Sequence, residues 1–366
     1  MDREKSYIDE IGPSKIIQLY FPLSNFHAIV VIDNTALGPS IGGVRVSLNV
    51  TVEEVKRLSR TMTMKNSIAG LPHGGGKAAI IADPKDPKKE DYFRRFAQSI
   101  KEFYDYIPGP DMGSNEECMA WVYDEIGRAC GLPEEIGGLP LDKLGATGFG
   151  LAECAEVSCK YARIDLKKST VAIQGFGSVG KAAALFLSER GSKIVAVSDT
   201  KGMVYNPHGL DCKRLISIKD ETGTVINYKD GEIKDKEEIF TIDCHILIPA
   251  ATPDVITIQN VNEVKARIIL QGANIPVTSD AERILFERGV LSVPDFIANA
   301  GGVIMAAMEY AKKSEKEAFS SISEKIKKNT ELILNMSYEK KIPPREAAEK
   351  IALDRVIRAM RYKRVL

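Results

Sequence analysis

Gly175, Gly177 and Gly180 stand in QGFGSVG at G-x-G-x-x-G spacing. That spacing suits the pyrophosphate of a dinucleotide: the first glycine permits a tight turn, the second lets phosphate approach the backbone, and the third lets helix and strand pack closely. The motif carries weight only between a strand and a helix; here TVAIQ precedes it and KAAALFLSERG follows. A helix start adds amide donors and partial positive charge for the phosphates, so Phe176, Ser178 and Val179 join the glycines as cofactor-binding candidates. Asp199, nineteen residues beyond Gly180, follows the next strand-like run and is placed to accept hydrogen bonds from an adenosine ribose. A carboxylate there repels a 2′-phosphate, which favours NAD. Lys201, two residues on, could offset that repulsion and keeps NADP open.

A second group lies in TMKNSIAGLPHGGGKAAII, which holds Lys65 and Lys77. It is not a phosphate-binding P-loop, because no Gly-x-x-x-x-Gly-Lys-Ser/Thr is present and no helix follows. Three glycines before Lys77 suggest backbone packed close to a ligand. Pro108-Gly109-Pro110-Asp111 fixes the chain path before a capping box at Ser114-x-x-Glu117, so Asp111 is expected to be held in place. The six cysteines form no C-x-x-C and the four histidines no H-E-x-x-H, so no metal site is expected. The cysteines read as small buried hydrophobes in a reducing compartment.

These residues need elements to hold them. His27–Ile32, Val44–Leu48 and Ala78–Ile81 read as strands. Thr51-x-x-Glu54 caps a helix carrying Val55, Leu58 and Met62 at helical spacing, and Phe96, Ile100 and Phe103 mark another. Met119, Val122, Tyr123 and Ile126 form the inward face of the helix after Ser114. The Gly- and Pro-rich stretch 131–147 looks like a connection. Beyond it, strands at 170–174, 193–198, 245–248, 267–271 and 290–293 alternate with helices, which implies a parallel sheet with right-handed crossovers. Phe319, Ile322, Ile326 and Ile333 share a helical face, and Pro343-Pro344 opens a last helix to about Met360. The expected architecture is α/β: a substrate domain at 1–145 and a Rossmann dinucleotide-binding domain at 146–335, with the helix at about 336–366 packing back on the first.

The 366 residues carry 50 Lys+Arg and 50 Asp+Glu, so no basic excess marks a nucleic-acid partner. No apolar run approaches the roughly 18 residues of a membrane span. The opening MDREKSYIDEIG is charged and lacks an apolar leader-like stretch, so a cytoplasmic protein is expected.

Taken together, GPSIGGVR (38–45), MKNSIAGLPHGGGK (64–77), PGPDMGS (108–114), GATGFG (145–150), QGFGSVG (174–180) and PDFIANAGGV (294–303) resemble the glutamate/leucine/phenylalanine/valine dehydrogenase family, in that family's order. The resemblance implies two domains around a cleft, oxidative deamination of an L-amino acid to a 2-oxo acid and ammonium, a nicotinamide cofactor, and a homo-oligomer, hexameric or octameric. By position, Lys77 resembles the catalytic lysine, Asp111 its proton-transfer partner and Lys65 the residue that pairs the substrate α-carboxylate. A lysine acting as base needs a lowered pKa, and burial with a second cation, here Lys65, would supply it. Thr147, Ala250, Ala251 and Asn274 resemble cofactor-facing positions, and Gly42 and Gly43 the substrate-side wall.

Glutamate-acting members resemble one another in a lysine directly before the Gly-Gly of G-G-x-R, where this chain has Ile41, and in a serine four residues after N-A-G-G, where it has Ala306. A side-chain carboxylate buried without its pair costs on the order of 3–5 kcal/mol. Ile41, Gly109, Val303 and Ala306 are therefore expected to form a roomy apolar pocket for leucine, valine, isoleucine or phenylalanine, with Gly109 making space for a ring. Glutamate is the alternative, since PGPDMGSNEECMAW and VSDTKGMVYNPHGLD look glutamate-type. Two further classes compete. A non-catalytic nucleotide-binding regulator predicts loss of Lys77 or Asp111, and both are present. A 2-hydroxy-acid dehydrogenase would need His73 as its acid/base.

Overall fold

The computed structural model describes residues 9–24 and 26–363; the charged residues 1–8 of the opening segment lie outside them. The chain forms two compact units. One comprises the residues to Leu141 with Val303–Ala318 and the chain from Glu349; the other comprises Asp142–Gly302 and Phe319–Ala348.

The first unit is built on β1 (Lys15–Phe21), β2 (Phe26–Asn34), β3 (Ser40–Val46), α1 (Val52–Ile68), β4 (Gly74–Ile80), α2 (Lys89–Ser99), β5 (Tyr106–Pro110) and α3 (Glu116–Ile126). The sheet order is β1-β2-β4-β3-β5, with β2 antiparallel to both β1 and β4, and β3 parallel to both β4 and β5. Both prolines of β5 sit on an edge strand, where a missing N–H costs no ladder bond. One core cluster joins Ile32, Val44, Ile80 and Phe96 with Tyr106 and Met119 of α3. Thr51 caps α1, accepting from Glu54 N. The expected Ser114 box does not form. Asn115 caps α3, accepting from Cys118 N at 3.1 Å, and the Ser114 hydroxyl serves Asp111 instead.

The second unit runs α4 (Ala146–Tyr161), β6 (Thr170–Gln174), α5 (Ser178–Glu189), β7 (Lys193–Ser198), β8 (Met203–Tyr205), α6 (Cys212–Thr222), β9 (Glu232–Lys234), β10 (Ile246–Pro249), β11 (Ile268–Leu270), α7 (Ser279–Glu287), β12 (Leu291–Val293) and α8 (Asp295–Ala298). Its sheet order is β12-β11-β10-β6-β7-β8-β9. The five strands anticipated from sequence are parallel, as expected. β8 and β9 add an antiparallel edge that was not anticipated, their three residues each being too short for a periodic signal. The tail is helical: α9 (Gly301–Tyr310), α10 (Glu315–Lys340) and α11 (Pro344–Tyr362). Among the described residues no helix is long and apolar enough to cross a membrane.

Candidate active site

Lys77 lies on β4, an interior strand, opposite Val31 of β2. Its side chain is 8% exposed and its Nζ lies 3.0 Å from Asp111 Oδ2. The same oxygen accepts from Arg45 Nε at 2.9 Å, and Arg45 Nη1 pairs with Glu54 of α1. Burial pushes the Lys77 ammonium below its usual pKa; Asp111 resists that shift, and Arg45 adds to it. Burial alone would raise Asp111, but Lys77 and Arg45 outweigh it and hold the carboxyl below the ordinary value. The result is a desolvated lysine and an ionised carboxylate in contact, a pair between which a proton can pass.

The three glycines before Lys77 do not make room for a ligand. A Cβ on Gly75 would stand 2.1 Å from Thr63 N and 2.5 Å from Ser59 O, so helix α1 rests directly on β4. A Cβ on Gly76 would meet Ser40 Oγ and the Tyr106 ring at 2.8 Å. Asn66 Nδ2 adds a bond to Gly74 O at 2.7 Å. The glycines thus set the distance between α1 and β4 and with it the depth of Lys77. Gly43 serves Asp111, since a Cβ there would meet Asp111 Cβ at 2.7 Å. Gly42 sits below Gly76, whose carbonyl oxygen would be 1.8 Å from an added Cβ. The Asp111 amide donates to Ser114 Oγ at 2.8 Å, and Ser114 Oγ donates to Val44 O at 2.8 Å.

Arg45 was missed from sequence, which assigned the second cation to Lys65. A signal was present. Side chains two apart share a face of a strand, so Ile41, Gly43 and Arg45 lie in one row, and Gly43 lies under Asp111. Lys65 occupies the last turn of α1.

Of the side-chain pocket candidates, Ile41 and Ala306 come together with Ile107, Cys130 and Tyr310 in one apolar cluster of the first unit. Ile41 is 3% exposed. The space expected at Gly109 is filled, because a Cβ there would meet Cys130 Sγ at 2.9 Å. Val303 is half-buried on α9 and is not part of that cluster. His73 places its ring edge-on to Tyr310 and its Nδ1 at 3.2 Å from Pro39 O; burial lowers its pKa. All six cysteines are free and buried, and burial raises each thiol.

In the second unit, QGFGSVG joins β6 to α5 as the motif requires. Gly175 adopts φ +93° and lies against Ala251, and Gly180 sits on Gly175 O, where an added Cβ would be 2.0 Å away. Around Gly177, the N-cap of α5, an added Cβ meets no protein atom within 4 Å, and no side chain caps the helix. With no side chain capping this turn and with Gly177 and Ser178 exposed, the helix start fits a dinucleotide pyrophosphate. The Phe176 side chain is buried in the core. Ala250 N and Ala251 N bond back to Gln174, at 2.7 and 3.3 Å. Asn299 Nδ2 donates to exposed Asn274 at 3.2 Å, and Thr147 lies beside Gly301. Asp199 departs from expectation. Its side chain is 5% exposed, with Oδ1 accepting from Lys201 N (2.8 Å) and Thr224 Oγ1 (3.3 Å), and Oδ2 from Lys219 Nζ (2.7 Å) and Val225 N (2.8 Å). A carboxylate offers about four acceptor positions, and all are engaged.

Known proteins resemble this chain over most of its length. A glutamate dehydrogenase of Aeropyrum pernix is 41% identical over 356 residues, covering 90% of this chain and 85% of its own. An NADP-specific glutamate dehydrogenase of Saccharolobus shibatae is 40% identical over 357 residues (91% and 84%), and an NAD-specific one of Staphylococcus aureus is 38% identical over 351 (90% and 84%). Among solved structures, the Leu-bound hetero-hexameric glutamate dehydrogenase of Thermus thermophilus superposes with TM-score 0.86 at 27% identity, covering 98% of this chain and 92% of that one. L-tryptophan dehydrogenase of Nostoc punctiforme superposes with TM-score 0.76 at 25% identity, covering 96% and 97%. The profile of the Glu/Leu/Phe/Val dehydrogenase dimerisation domain matches residues 13–128, and that of the Glutamate/Leucine/Phenylalanine/Valine dehydrogenase matches residues 137–364. With the buried Lys77–Asp111 pair and the glycine loop in the order and on the elements the resemblance requires, the chain belongs to the glutamate/leucine/phenylalanine/valine dehydrogenase family of NAD(P)-dependent amino-acid dehydrogenases.

Proposed function

We propose that the chain catalyses the reversible oxidative deamination of L-glutamate: amino acid, NAD(P)⁺ and water give 2-oxo acid, ammonium, NAD(P)H and a proton. The names of the curated relatives support glutamate over the apolar substrate expected from Ile41 and Ala306. The observation that carries the chemistry is Lys77 Nζ at 3.0 Å from Asp111 Oδ2 in a nearly dry setting. The nicotinamide, when bound, accepts the two electrons and hydrogen leaving the substrate α-carbon. Lys77, unprotonated, removes a proton from the water that attacks the iminium carbon, and Asp111 carries the proton onward. Arg45 keeps Asp111 ionised so that it can do so. Lys65 pairs the α-carboxylate. The amides of the glycine loop hold the pyrophosphate.

A second reading, an apolar L-amino acid, is favoured by one observation: Ile41 and Ala306 join Ile107, Cys130 and Tyr310 in one apolar cluster. The tryptophan dehydrogenase likeness is consistent with it. Formation of reduced nicotinamide with separate L-glutamate, L-leucine, L-phenylalanine and L-tryptophan, each with NAD and NADP, decides between them. Turnover of glutamate alone supports the first reading, and turnover of an apolar amino acid with glutamate inert replaces it. Lys77→Ala should lose at least about 10³-fold in kcat while still binding dinucleotide; retained kcat would remove Lys77 from its role.

A homo-oligomer is part of this proposal. The dimerisation-domain match supports it, as do the large apolar residues Ile16, Tyr20 and Phe21 exposed on edge strand β1. Sedimentation velocity giving a monomer at micromolar concentration would overturn it. A cytoplasmic location stays with the same reading.

A further inference from the structure

Gln271, Glu282, Asp295 and Arg345 form a polar network inside the second unit that the chemistry above does not use. Arg345, the second residue of α11, donates through Nε to Glu282 Oε2 of α7 at 2.6 Å. Through Nη2 it reaches Asp295 Oδ1 at 2.9 Å and Gln271 Oε1 at 3.0 Å. Glu282, Asp295 and Gln271 are all buried. Asp295 Oδ2 leads out of the network, accepting from Ile275 N at 3.0 Å. Ile275 has φ +49°, in the left-handed region. Both its β-branched side chain and the Pro276 that follows it favour extended backbone instead. Its carbonyl accepts from Asp254 N at 3.0 Å, and Asp254 is itself left-handed at φ +54°. Backbone of this kind persists only where its surroundings over-determine it, and it clusters at functional sites.

The turn at Ile275 ends the loop Gly272–Ala273–Asn274, which leaves β11 at the carboxyl edge of the parallel strands, where open α/β sheets bind ligands. The glycine loop leaves β6 at the same edge. Only β10 stands between β6 and β11, so the two strand ends lie about 10 Å apart. A step of that size leads from a pyrophosphate on the glycine loop toward the nicotinamide half of the dinucleotide. Asn299 Nδ2 donates to Gly272 O, Ala273 O and Asn274 Oδ1 at 3.3, 3.2 and 3.2 Å. With its Oδ1 so used, exposed Asn274 offers its Nδ2 as a donor, suited to a carboxamide or ribose oxygen. We propose that Asp295, held by Arg345, is a positioning residue for the cofactor: by pinning the Ile275 amide it keeps the turn that sets Asn274 for the nicotinamide half. The proposal rests on the dehydrogenase reading above.

The test is calorimetric binding to the full chain of NADH and NADPH, and of 5′-ADP by displacement, since 5′-ADP lacks the nicotinamide riboside. In Asp295→Asn a single side-chain oxygen cannot accept from both Arg345 and Ile275, and the new amide nitrogen faces a donor. Affinity for the reduced dinucleotide should fall about tenfold, with 5′-ADP held within about twofold. Glu282→Gln disturbs Arg345 Nε but leaves the Nη2 arm on Asp295. It should lower the thermal midpoint while moving the ratio of the two affinities by less than about twofold. Ile275→Pro removes the amide itself at an exposed position and should reproduce the tenfold change; it decides the matter if Asp295→Asn does not fold. An unchanged ratio in Asp295→Asn or in Ile275→Pro would overturn the proposal. So would an equal loss of both ligands, or a change in Glu282→Gln as large as that in Asp295→Asn. Failure of wild type to bind either dinucleotide would instead remove the dehydrogenase reading beneath it.

Discussion

Replacing Asp111 by Asn removes one negative charge and almost no volume. It leaves Lys77 and Arg45, which now meet the same oxygen at 3.0 and 2.9 Å, facing each other without an anion between them. With an effective dielectric of about 20, opposite unit charges at that separation attract by roughly 5 kcal/mol. Losing one partner of such a pair costs about 3–5 kcal/mol. Arg45 retains Glu54; Lys77 has no such reserve among its described ion pairs. It relieves the cost by releasing its proton, so its pKa, already lowered by burial, falls further. The sign follows from linkage. In the variant the unfolded chain binds a proton at Lys77 up to its ordinary value near 10.5, while the folded chain gives it up earlier. Folded stability of Asp111→Asn therefore rises with pH more steeply than wild type. Its deficit, about 3–5 kcal/mol at pH 6, shrinks by up to about 1.4 kcal/mol per pH unit as Lys77 deprotonates. Urea unfolding of both proteins from pH 6 to 10 measures this directly. In residual turnover, the acidic limb of kcat moves to lower pH. A deficit constant across that range, together with an unmoved limb, would show that the two side chains are not coupled as their geometry requires.

Three further outcomes follow from the same coordinates. Ile41→Lys places an ammonium in the cluster of Ile107, Ala306 and Tyr310, and should raise glutamate affinity about 10²-fold while depressing any apolar substrate; inhibition constants of glutarate and 4-methylpentanoate read this out, and an unchanged pair would detach Ile41 from the substrate side chain. Gly75→Ala puts a methyl into the backbone of α1 and should cost about 3 kcal/mol or more, whereas Gly177→Ala meets only open space and should fold normally while losing dinucleotide affinity; equal thermal midpoints for the two variants would contradict the packing. Asp111, Asp199 and Glu153 all titrate below their ordinary values, Asp111 through Lys77 and Arg45, Asp199 chiefly through Lys219, and Glu153 through Ser323, Lys327 and Arg190, each against the opposing effect of burial. The stability they contribute is complete above the unfolded values near 4 and is lost as pH falls through the lowered ones; these three groups add no slope to the urea midpoint from pH 7 to 5, where buried His73 makes it decline, and they make it fall steeply below about 4.

The dinucleotide half was legible because its signal is local. Strand, glycine turn and helix are contiguous, and 170–174 and 193–198 coincide with β6 and β7. Lys77 and Asp111 were found through their neighbours in the chain, but the reason for the glycines was not, because Thr63, Ser59 and Tyr106 reach them from distant segments. The prolines of β5 hid an edge strand that sequence reading did not anticipate. Arg45 and Lys219 lay beyond reach for the same reason: each acts on a carboxylate 66 or 20 residues away, and charge pairs of that kind leave no periodic mark.

The chain passes between its two units at 141/142, 302/303, 318/319 and 348/349. Neither unit can therefore be obtained by cutting the gene once. A fragment ending at Leu141 would lack Ala306 and Tyr310, which shelter Ile41, and Glu309, whose carboxylate receives the amides of Leu132 and Leu139 at 3.0 and 2.8 Å. It would also lack Val356 and Met360, which cover Ile11 and Ala36. Isolating the first unit means splicing three separate stretches of polypeptide and isolating the second means splicing two, and a protease nick in a connecting segment would leave two interlaced pieces that still complete each other's cores.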